Sequence, residues 1–269
     1  MRIAVLQVAY TDDEPVEARR KRVADLVRAQ RGADLVVLPE LWAPGGFSYT
    51  EWAERAEPVD GPTVRAVADA AREIGAVVHA GSVIETAGEG SDRGAEGRGL
   101  WNTSVLLGPD GAVLATYRKI HRFGFGAGEP RLLEAGTDVV TVPLPGAGDG
   151  ALVGLSTCYD LRFPELYRRQ TDAGAALFVV PAAWPAARVE HWSVLARARA
   201  IENQALLVAA NTAGTHAGTA MGGRSVVVGP RGEVLAEAGD GEQVLDVEVD
   251  LSDVPAWRQA FPVLADRRL

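Results

Sequence analysis

The chain has 269 residues, 47% of them hydrophobic and 23% charged, so it is long and apolar enough to bury a sizeable core. Its formal charge of −9 at pH 7 argues against binding to nucleic acid or to an anionic membrane surface, because both need clustered Lys and Arg. A single cysteine excludes an intrachain disulfide, and the lack of a signal-peptide pattern or of a run of about 20 apolar residues predicts a cytoplasmic protein.

Apolar runs typical of buried strands alternate with helical patterns along the chain. The predicted strands are 3–10, 33–39, 76–85, 151–157, 176–181 and 205–212. The predicted helices are 15–31, 62–74, 163–173 and 189–203. Pro-Asp-Gly and Pro-Arg-Gly turns predict β-hairpins at 102–119 and 225–239, and the polar stretch 87–99 is expected to be an exposed loop.

Two stretches of the first half recur in the second. "GADLVVLP" at 32–39 matches "GAALFVVP" at 174–181, and "SVLLGPDGAVLA" at 104–115 matches "SVVVGPRGEVLA" at 225–236. We therefore expect an α/β protein with two similar mixed β-sheets, packed as a four-layer α-β-β-α sandwich in one domain over 1–269. The alternative is a single doubly wound sheet, which the hairpins argue against because such sheets are mostly parallel.

Chemically useful side chains end several of the apolar runs: Glu40, Lys119, Cys158 and Trp184. Ligand sites of α/β proteins lie beyond the carboxyl ends of strands, so a carboxylate, an amine and a thiol form a plausible catalytic set. Trp184 is a candidate substrate-binding residue at the fourth run. Some have an ordinary structural alternative. A lone cysteine is most often a small buried hydrophobe, and Lys119 belongs to a basic cluster for which a solvated surface is the alternative. The predicted helix after Cys158 would favour the thiolate through its macrodipole.

Neither a metal nor a cofactor is expected from the motifs. The four histidines show neither an HExxH motif nor paired Cys/His spacing. The Gly-rich stretches lack both the P-loop Lys-Ser/Thr and the spacing of a dinucleotide-binding loop. A small-molecule substrate handled by side chains alone is the consistent interpretation.

Three stretches carry a resemblance to a known family: "LVVLPELW" around Glu40, "YRKIHRF" around Lys119 and "CYDLRFPELYR" around Cys158. In this order they resemble the carbon–nitrogen hydrolases of the nitrilase superfamily, most closely the omega-amidase-like branch. The resemblance implies hydrolysis of the terminal amide of small dicarboxylic acid monoamides such as 2-oxoglutaramate. It also implies a homodimer or a higher homo-oligomer. The chain departs from the common "KIHLFD" pattern at Arg122 and Gly124, in a loop that borders the pocket in the family.

The resemblance also implies a role for each site residue. Cys158 would attack the amide carbonyl after Glu40 has accepted its proton, and a thioester acyl-enzyme would form. Lys119 and the backbone N–H of Tyr159 would stabilise the oxyanion. Glu129, which follows the lysine motif, would assist by holding Lys119 and the substrate in register.

Other functions remain open at this stage. A nitrile or an N-carbamoyl compound could be cleaved by the same Glu–Lys–Cys set. A Cys–His acyltransferase or peptidase would instead pair Cys158 with His121 or His191, and it would tolerate replacement of Glu40. A catalytically silent binding module on the same fold is a further alternative, which the intact Glu40, Lys119 and Cys158 argue against.

Overall fold

Two six-stranded β-sheets form the centre of the computed structural model, which describes residues 1–88, 90–148 and 150–268. The strands are β1 Arg2–Gln7, β2 Leu35–Val37, β3 Val77–Thr86, β4 Leu100–Leu107, β5 Val113–Arg118, β6 Thr141–Pro143, β7 Leu152–Leu155, β8 Ala175–Ala182, β9 Leu206–Asn211, β10 Thr215–His216, β11 Thr219–Ala220, β12 Val226–Val228, β13 Val234–Glu237 and β14 Gln243–Glu248. The α-helices are α1 Val16–Arg28, α2 Pro62–Ile74, α3 Glu129–Leu132, α4 Pro164–Asp172, α5 Val189–Asn203 and α6 Asp253–Ala260. Short 3₁₀ helices are Cys158–Arg162, Ala186–Arg188 and Val263–Asp266.

The two sheets share one plan. Their strand orders are β14-β1-β2-β3-β4-β5 and β13-β12-β9-β8-β7-β6. In each sheet the three central strands, β1–β3 or β7–β9, are parallel. A hairpin, β4–β5 or β12–β13, extends the sheet on one side, and an antiparallel strand, β14 or β6, forms the edge on the other side. The repeated stretches fall on equivalent elements, β2 with β8 and the β4–β5 hairpin with the β12–β13 hairpin. The prediction of two similar mixed sheets is confirmed.

Alternating burial along the strands produces the layers. Ile3 and Val5 of β1 face the second sheet, whereas Ala4 and Leu6 pack with apolar residues of α1 and α2. On the far side, α4 and α5 cover the second sheet, where Trp192 belongs to the same apolar cluster as the strands. The order of layers is therefore helix, sheet, sheet, helix, as expected for the α-β-β-α sandwich and not for a single doubly wound sheet.

Helix α2 begins and ends where its sequence predicts. Pro62 occupies the first turn, where its missing N–H removes no intrahelical hydrogen bond. Gly75 ends the helix at φ +68°, a left-handed conformation that glycine adopts without a steric penalty. Helix α5 also has the predicted bounds, 189–203.

Several elements differ from the prediction. Strand β1 ends at Gln7, three residues before the predicted end, and α1 covers 16–28 of the predicted 15–31. Strands β6, β10, β11 and β14 were not predicted, because they are short or mostly exposed and lack a long apolar run. Residue 89 of the predicted 87–99 loop lies outside the described residues. In the described part of the chain, no helix is both long and apolar enough to cross a membrane.

Candidate active site

The four side chains singled out by sequence, Glu40, Lys119, Glu129 and Cys158, line one pocket between the two sheets. Glu40 follows β2, Lys119 directly follows β5, Glu129 begins α3 and Cys158 follows β7. All four are buried, with exposed fractions of 7% or less. Buried charged residues persist only when they are paired or used, so the cluster is a candidate active site.

Lys119 lies between the two carboxylates. Its Nζ donates hydrogen bonds to Glu40 Oε1 at 2.8 Å and to Glu129 Oε1 at 3.0 Å. Burial acts to lower the pKa of Lys119, but the negative charges of Glu129 and Glu40 outweigh it and raise that pKa well above its ordinary value. Burial also raises the pKa of Glu129, although the positive charge of Lys119 opposes this. Lys119 is therefore an ammonium ion throughout the physiological pH range.

Asn102, in β4, joins the same two carboxylates from the other side. Its Nδ2 donates to Glu40 Oε1 and to Glu129 Oε1, at 2.8 Å in both cases. The neutral amide of Asn102 and the side chain of Lys119 therefore both donate hydrogen bonds to the two buried carboxyl groups. Sequence reasoning missed this residue, and the available signal was the run of three polar residues, Asn-Thr-Ser, in the middle of the strand "LWNTSVLL".

Glu40 connects the two sheets at the floor of the pocket. Its Oε2 accepts a hydrogen bond of 2.8 Å from the backbone N–H of Ala183, which follows β8 of the second sheet. The next residue, Leu41, has φ +45°, and its backbone N–H donates to Ser82 Oγ at 3.1 Å. The carboxylate is therefore fixed by both sheets and by a constrained turn, which leaves it little freedom to move away from Cys158.

Cys158 occupies a sharp turn after β7. Its φ of +49° is uncommon for a residue with a side chain, and such strain is found most often at functional sites. The turn is held by a capping box in which Asp160 Oδ2 accepts from the backbone N–H of Thr157 at 2.9 Å. Asp160 also accepts from Tyr117 Oη and bonds His121 Nδ1, each at 2.7 Å. These hydrogen bonds fix the turn that carries Cys158, and the turn directs its thiol into the pocket.

The surroundings of Cys158 favour the thiol, as expected if Glu40 has to accept its proton. Burial and the negative charge of Glu40 raise the pKa of Cys158 well above its ordinary value, and the positive charge of Lys119 only partly opposes them. The helix that begins at Cys158 is a 3₁₀ helix of five residues, whereas the α-helix starts at Pro164, so its dipole is small. A neighbouring base is needed to generate the nucleophile.

Aromatic side chains and two arginines form the walls of the pocket. The aromatic residues are Phe47, Tyr49, Trp52, Phe123, Tyr159 and Trp184. Trp184 is held by a hydrogen bond of 2.7 Å from its Nε1 to Arg188 O. Tyr159 and Trp184, both singled out by sequence, therefore lie at the pocket, whereas Arg162 and Arg188 were missed as pocket residues. The backbone N–H of Tyr159 belongs to the first turn of the 3₁₀ helix beside Cys158.

The two histidines of the Cys–His alternative are engaged elsewhere. The ring of His121 bonds Asp160 and stacks on Phe163 with ring centroids 3.7 Å apart. His191 is exposed on α5 and lies 3.2 Å from Arg162 Nη2. Neither histidine is among the described residues that line the pocket of Cys158. The arrangement favours a carboxylate as the base.

The two departures from the family pattern have local structural reasons. Arg122 donates to Leu133 O at 2.6 Å and pairs with Glu96 at 2.7 Å, so its charge is neutralised beside the pocket rather than inside it. Gly124 has φ +141°, and a Cβ there would lie 2.0 Å from Ala127 O. This loop conformation requires glycine. Among the residues that the structure describes, no group of three His, Cys, Asp or Glu side chains is placed to hold a metal ion.

Comparison with known proteins gives the same family for most of the chain. The carbon-nitrogen hydrolase family model matches residues 2–259. A 2-oxoglutaramate amidase of Paenarthrobacter nicotinovorans is 45% identical over 268 residues, which cover 99% of this chain and 89% of that protein. The human omega-amidase NIT2 is 33% identical over 280 residues, covering 99% and 95%. A crystal structure of a CN-hydrolase superfamily protein from Xanthomonas campestris has a TM-score of 0.87 at 31% identity, covering 100% and 97%.

Proposed function

The chain belongs to the carbon-nitrogen hydrolase family, in the omega-amidase-like branch of the nitrilase superfamily, and on that premise we propose a thiol amidase mechanism for its pocket. The proposed reaction is hydrolysis of the terminal amide of a small dicarboxylic acid monoamide to a carboxylic acid and ammonia. One observation carries the proposal: the single cysteine shares a buried pocket with a lysine held between two carboxylates.

The first half-reaction forms a thioester. Glu40 accepts the proton of the Cys158 thiol, and the resulting thiolate attacks the amide carbonyl. The oxyanion that develops is stabilised by the ammonium of Lys119 and by the backbone N–H of Tyr159. Glu40 then gives its proton to the amide nitrogen, the C–N bond breaks and ammonia leaves. The raised pKa of the thiol makes the first proton transfer necessary.

The second half-reaction restores the enzyme. A water molecule enters, Glu40 accepts one of its protons and the hydroxide attacks the thioester carbonyl. The same donors stabilise the second oxyanion. When the C–S bond breaks, Glu40 returns the proton to the sulfur of Cys158, and the carboxylic acid leaves. Glu129 takes no proton in this scheme, and it acts by holding Lys119 through the 3.0 Å bond.

The substrate class is supported by the relatives and by the pocket. The amidase of Paenarthrobacter nicotinovorans acts, by its name, on 2-oxoglutaramate, and nearly its whole length aligns with this chain. A narrow pocket whose nucleophile is buried behind aromatic walls fits a short linear amide and not a folded peptide segment. Nitriles and N-carbamoyl compounds are the competing substrates because the same nucleophile could attack them.

Ammonia release tests the proposed activity. We expect the wild-type chain to release ammonia from 2-oxoglutaramate and related omega-amides at least tenfold faster than from nitriles or N-carbamoyl compounds. Cys158→Ala should lose turnover while its circular dichroism spectrum remains that of the wild type. Turnover that survives in Cys158→Ala would contradict the mechanism, and a preference for nitriles or carbamoyl compounds would contradict the substrate class.

We further propose a homodimer that uses the outer face of α5 and the segment after α6. Val194 and Ile201 of α5 are 64% and 49% exposed, and Phe261 is 52% exposed. Val194 and Ile201 are seven residues apart on one face of α5, and Gln204 at the end of α5 donates to Phe261 O at 2.8 Å, so these exposed apolar side chains support an interface there. Sedimentation velocity should show a dimer that Ile201→Glu converts to a monomer, and a monomeric wild type would contradict the proposal.

A further inference from the structure

Asn211 ends β9 next to the pocket wall, and its side chain is fully buried. Its Oδ1 accepts from the backbone N–H groups of Trp184 at 2.6 Å and Thr212 at 2.9 Å. Its Nδ2 donates to Trp184 O at 3.2 Å and to Gly223 O at 2.7 Å. An amide side chain has two acceptor and two donor positions, so all four are occupied by backbone groups. Asn211 is not among the described residues that line the pocket, and it therefore acts on the site through the backbone that it binds.

The amide of Asn211 continues the pairing of two strands past their ends. Strands β8 and β9 are parallel, and Ala182 lies opposite Asn211 where both strands end. Beyond that point, the side chain binds both the N–H and the C=O of Trp184, as a further residue of a neighbouring strand would. Ala182 O also accepts from the backbone N–H of Thr212 at 3.1 Å. Ala183 lies between these two bonded residues, so its peptide N–H has a fixed direction.

This N–H contacts the proposed base. Ala183 lines the pocket, and its N–H donates to Glu40 Oε2 at 2.8 Å. The carbonyl of the same peptide, Ala182 O, accepts from the backbone N–H of Glu40 at 3.4 Å. The other carboxylate oxygen of Glu40, Oε1, is held by Lys119 and Asn102 of the first sheet. The contact with Ala183 therefore sets the rotation of the carboxylate within the pocket.

We propose that Asn211 is a positioning residue that, through the backbone N–H of Ala183, keeps the carboxylate of Glu40 directed at the thiol. The inference rests on the proposed function of Glu40 as the base. Without the amide of Asn211, the N–H and C=O of Trp184 lose their partners, and the peptide that holds Glu40 is free to shift. A displacement of about 1 Å near the reacting groups can cost up to about 10²-fold in rate. Asn211 lies outside the pocket, so its effect on Cys158 passes through Glu40.

Alkylation by iodoacetamide tests the inference without amide turnover. The chain has one cysteine, so the label reports Cys158 alone, and alkylation needs the thiolate that Glu40 generates. At pH 8 we expect Asn211→Leu to slow alkylation by about 10- to 100-fold. In a Glu40→Gln background, which is itself slow, the same change should cost less than about threefold, because no base remains to be positioned.

Steady-state kinetics of Asn211→Ser give a second, milder test. The shorter hydroxyl cannot bind both backbone groups of Trp184, and the smaller side chain introduces no bulk into the core. We expect kcat for 2-oxoglutaramate to fall by about tenfold or more while KM stays within about threefold. The reason for a steady KM is that the ring of Trp184 is held separately, by its bond to Arg188 O.

Asn203→Leu is the matched control, because it removes a buried asparagine that bonds Arg199 O and Thr171 Oγ1, and it should keep the wild-type alkylation rate. Equal slowing by Asn211→Leu in the wild-type and Glu40→Gln backgrounds would overturn the proposal, because the effect would then not pass through Glu40. Wild-type alkylation and kcat in Asn211→Ser would also overturn it. Alkylation rates as predicted, in a wild-type chain that releases no ammonia from amides, would contradict the proposed function and still support the positioning role.

Discussion

Replacement of Asn102 by leucine probes how the buried carboxylate of Glu129 is stabilised beside Lys119. The change keeps the approximate shape of the side chain and removes the hydrogen bonds of 2.8 Å to Glu40 and to Glu129. A hydrogen bond to a charged group contributes about 1.5–3 kcal/mol. Since about 1.4 kcal/mol corresponds to one pKa unit, loss of the bond to Glu129 makes ionisation of that carboxyl harder by roughly one to two units. Burial already raises the pKa of Glu129 and the Asn102 bond lowers it, so loss of the bond moves the ionisation of Glu129, which holds Lys119, to higher pH.

The pH dependence of kcat/KM, measured by ammonia release, is the assay. In Asn102→Leu we expect the acid limb of the profile to move to higher pH by about one to two units. Asn203→Leu is a matched control, because the side chain of that buried asparagine donates to Arg199 O and accepts from Thr171 Oγ1, both neutral groups. It should lose stability and keep the wild-type profile. An acid limb in Asn102→Leu that coincides with the wild type would refute the reasoning.

Three further predictions follow from the site and its supports. Lys119→Arg should lower kcat/KM by about 10²- to 10³-fold, because a planar guanidinium cannot replace an ammonium bonded at 2.8 and 3.0 Å; a loss below tenfold would contradict this. Gly46→Ala should lower kcat/KM by about tenfold or more, since its Cβ would lie 2.6 Å from Ala183 Cβ; wild-type kinetics would contradict it. Burial lowers the pKa of His216 to about 4. Between pH 6.5 and pH 4 the unfolded chain therefore binds more protons than the folded chain, and the free energy of unfolding falls as the pH is lowered, by at most about 1.4 kcal/mol per pH unit. Urea unfolding at pH 7 and pH 5 should show a smaller pH effect in His216→Gln, and an equal effect would contradict the assignment.

The positions of Glu40, Lys119 and Cys158 could be predicted because they follow local patterns. Glu40 and Cys158 come shortly after short buried apolar strands, and Lys119 comes directly after the second strand of a hairpin, so a few neighbouring residues specify each element. The repeated hairpin sequences likewise encode their own turns, so the two similar sheets could be recognised before the structure was known. Short-range signals are sufficient for these features.

Features that depend on distant residues could not be predicted. Asn102 acts through its approach to Glu40, 62 residues away, and nothing near either residue indicates that contact. Strand β14 pairs with β1 at the opposite end of the chain, and its residues are mostly exposed, so its alternation is weak. The protonation state of Cys158 depends on the sum of burial, Glu40 and Lys119, which only the assembled pocket determines.

The thioester at Cys158 is the central claim, and acid quenching during turnover tests it most directly. The wild-type chain would be mixed with an excess of 2-oxoglutaramate, stopped in acid within milliseconds to seconds, digested and analysed by mass spectrometry. The account predicts that the peptide containing Cys158 carries the acyl group of the substrate. Ammonia release with an unmodified Cys158 peptide at every quench time, together with turnover by Cys158→Ala, would contradict it.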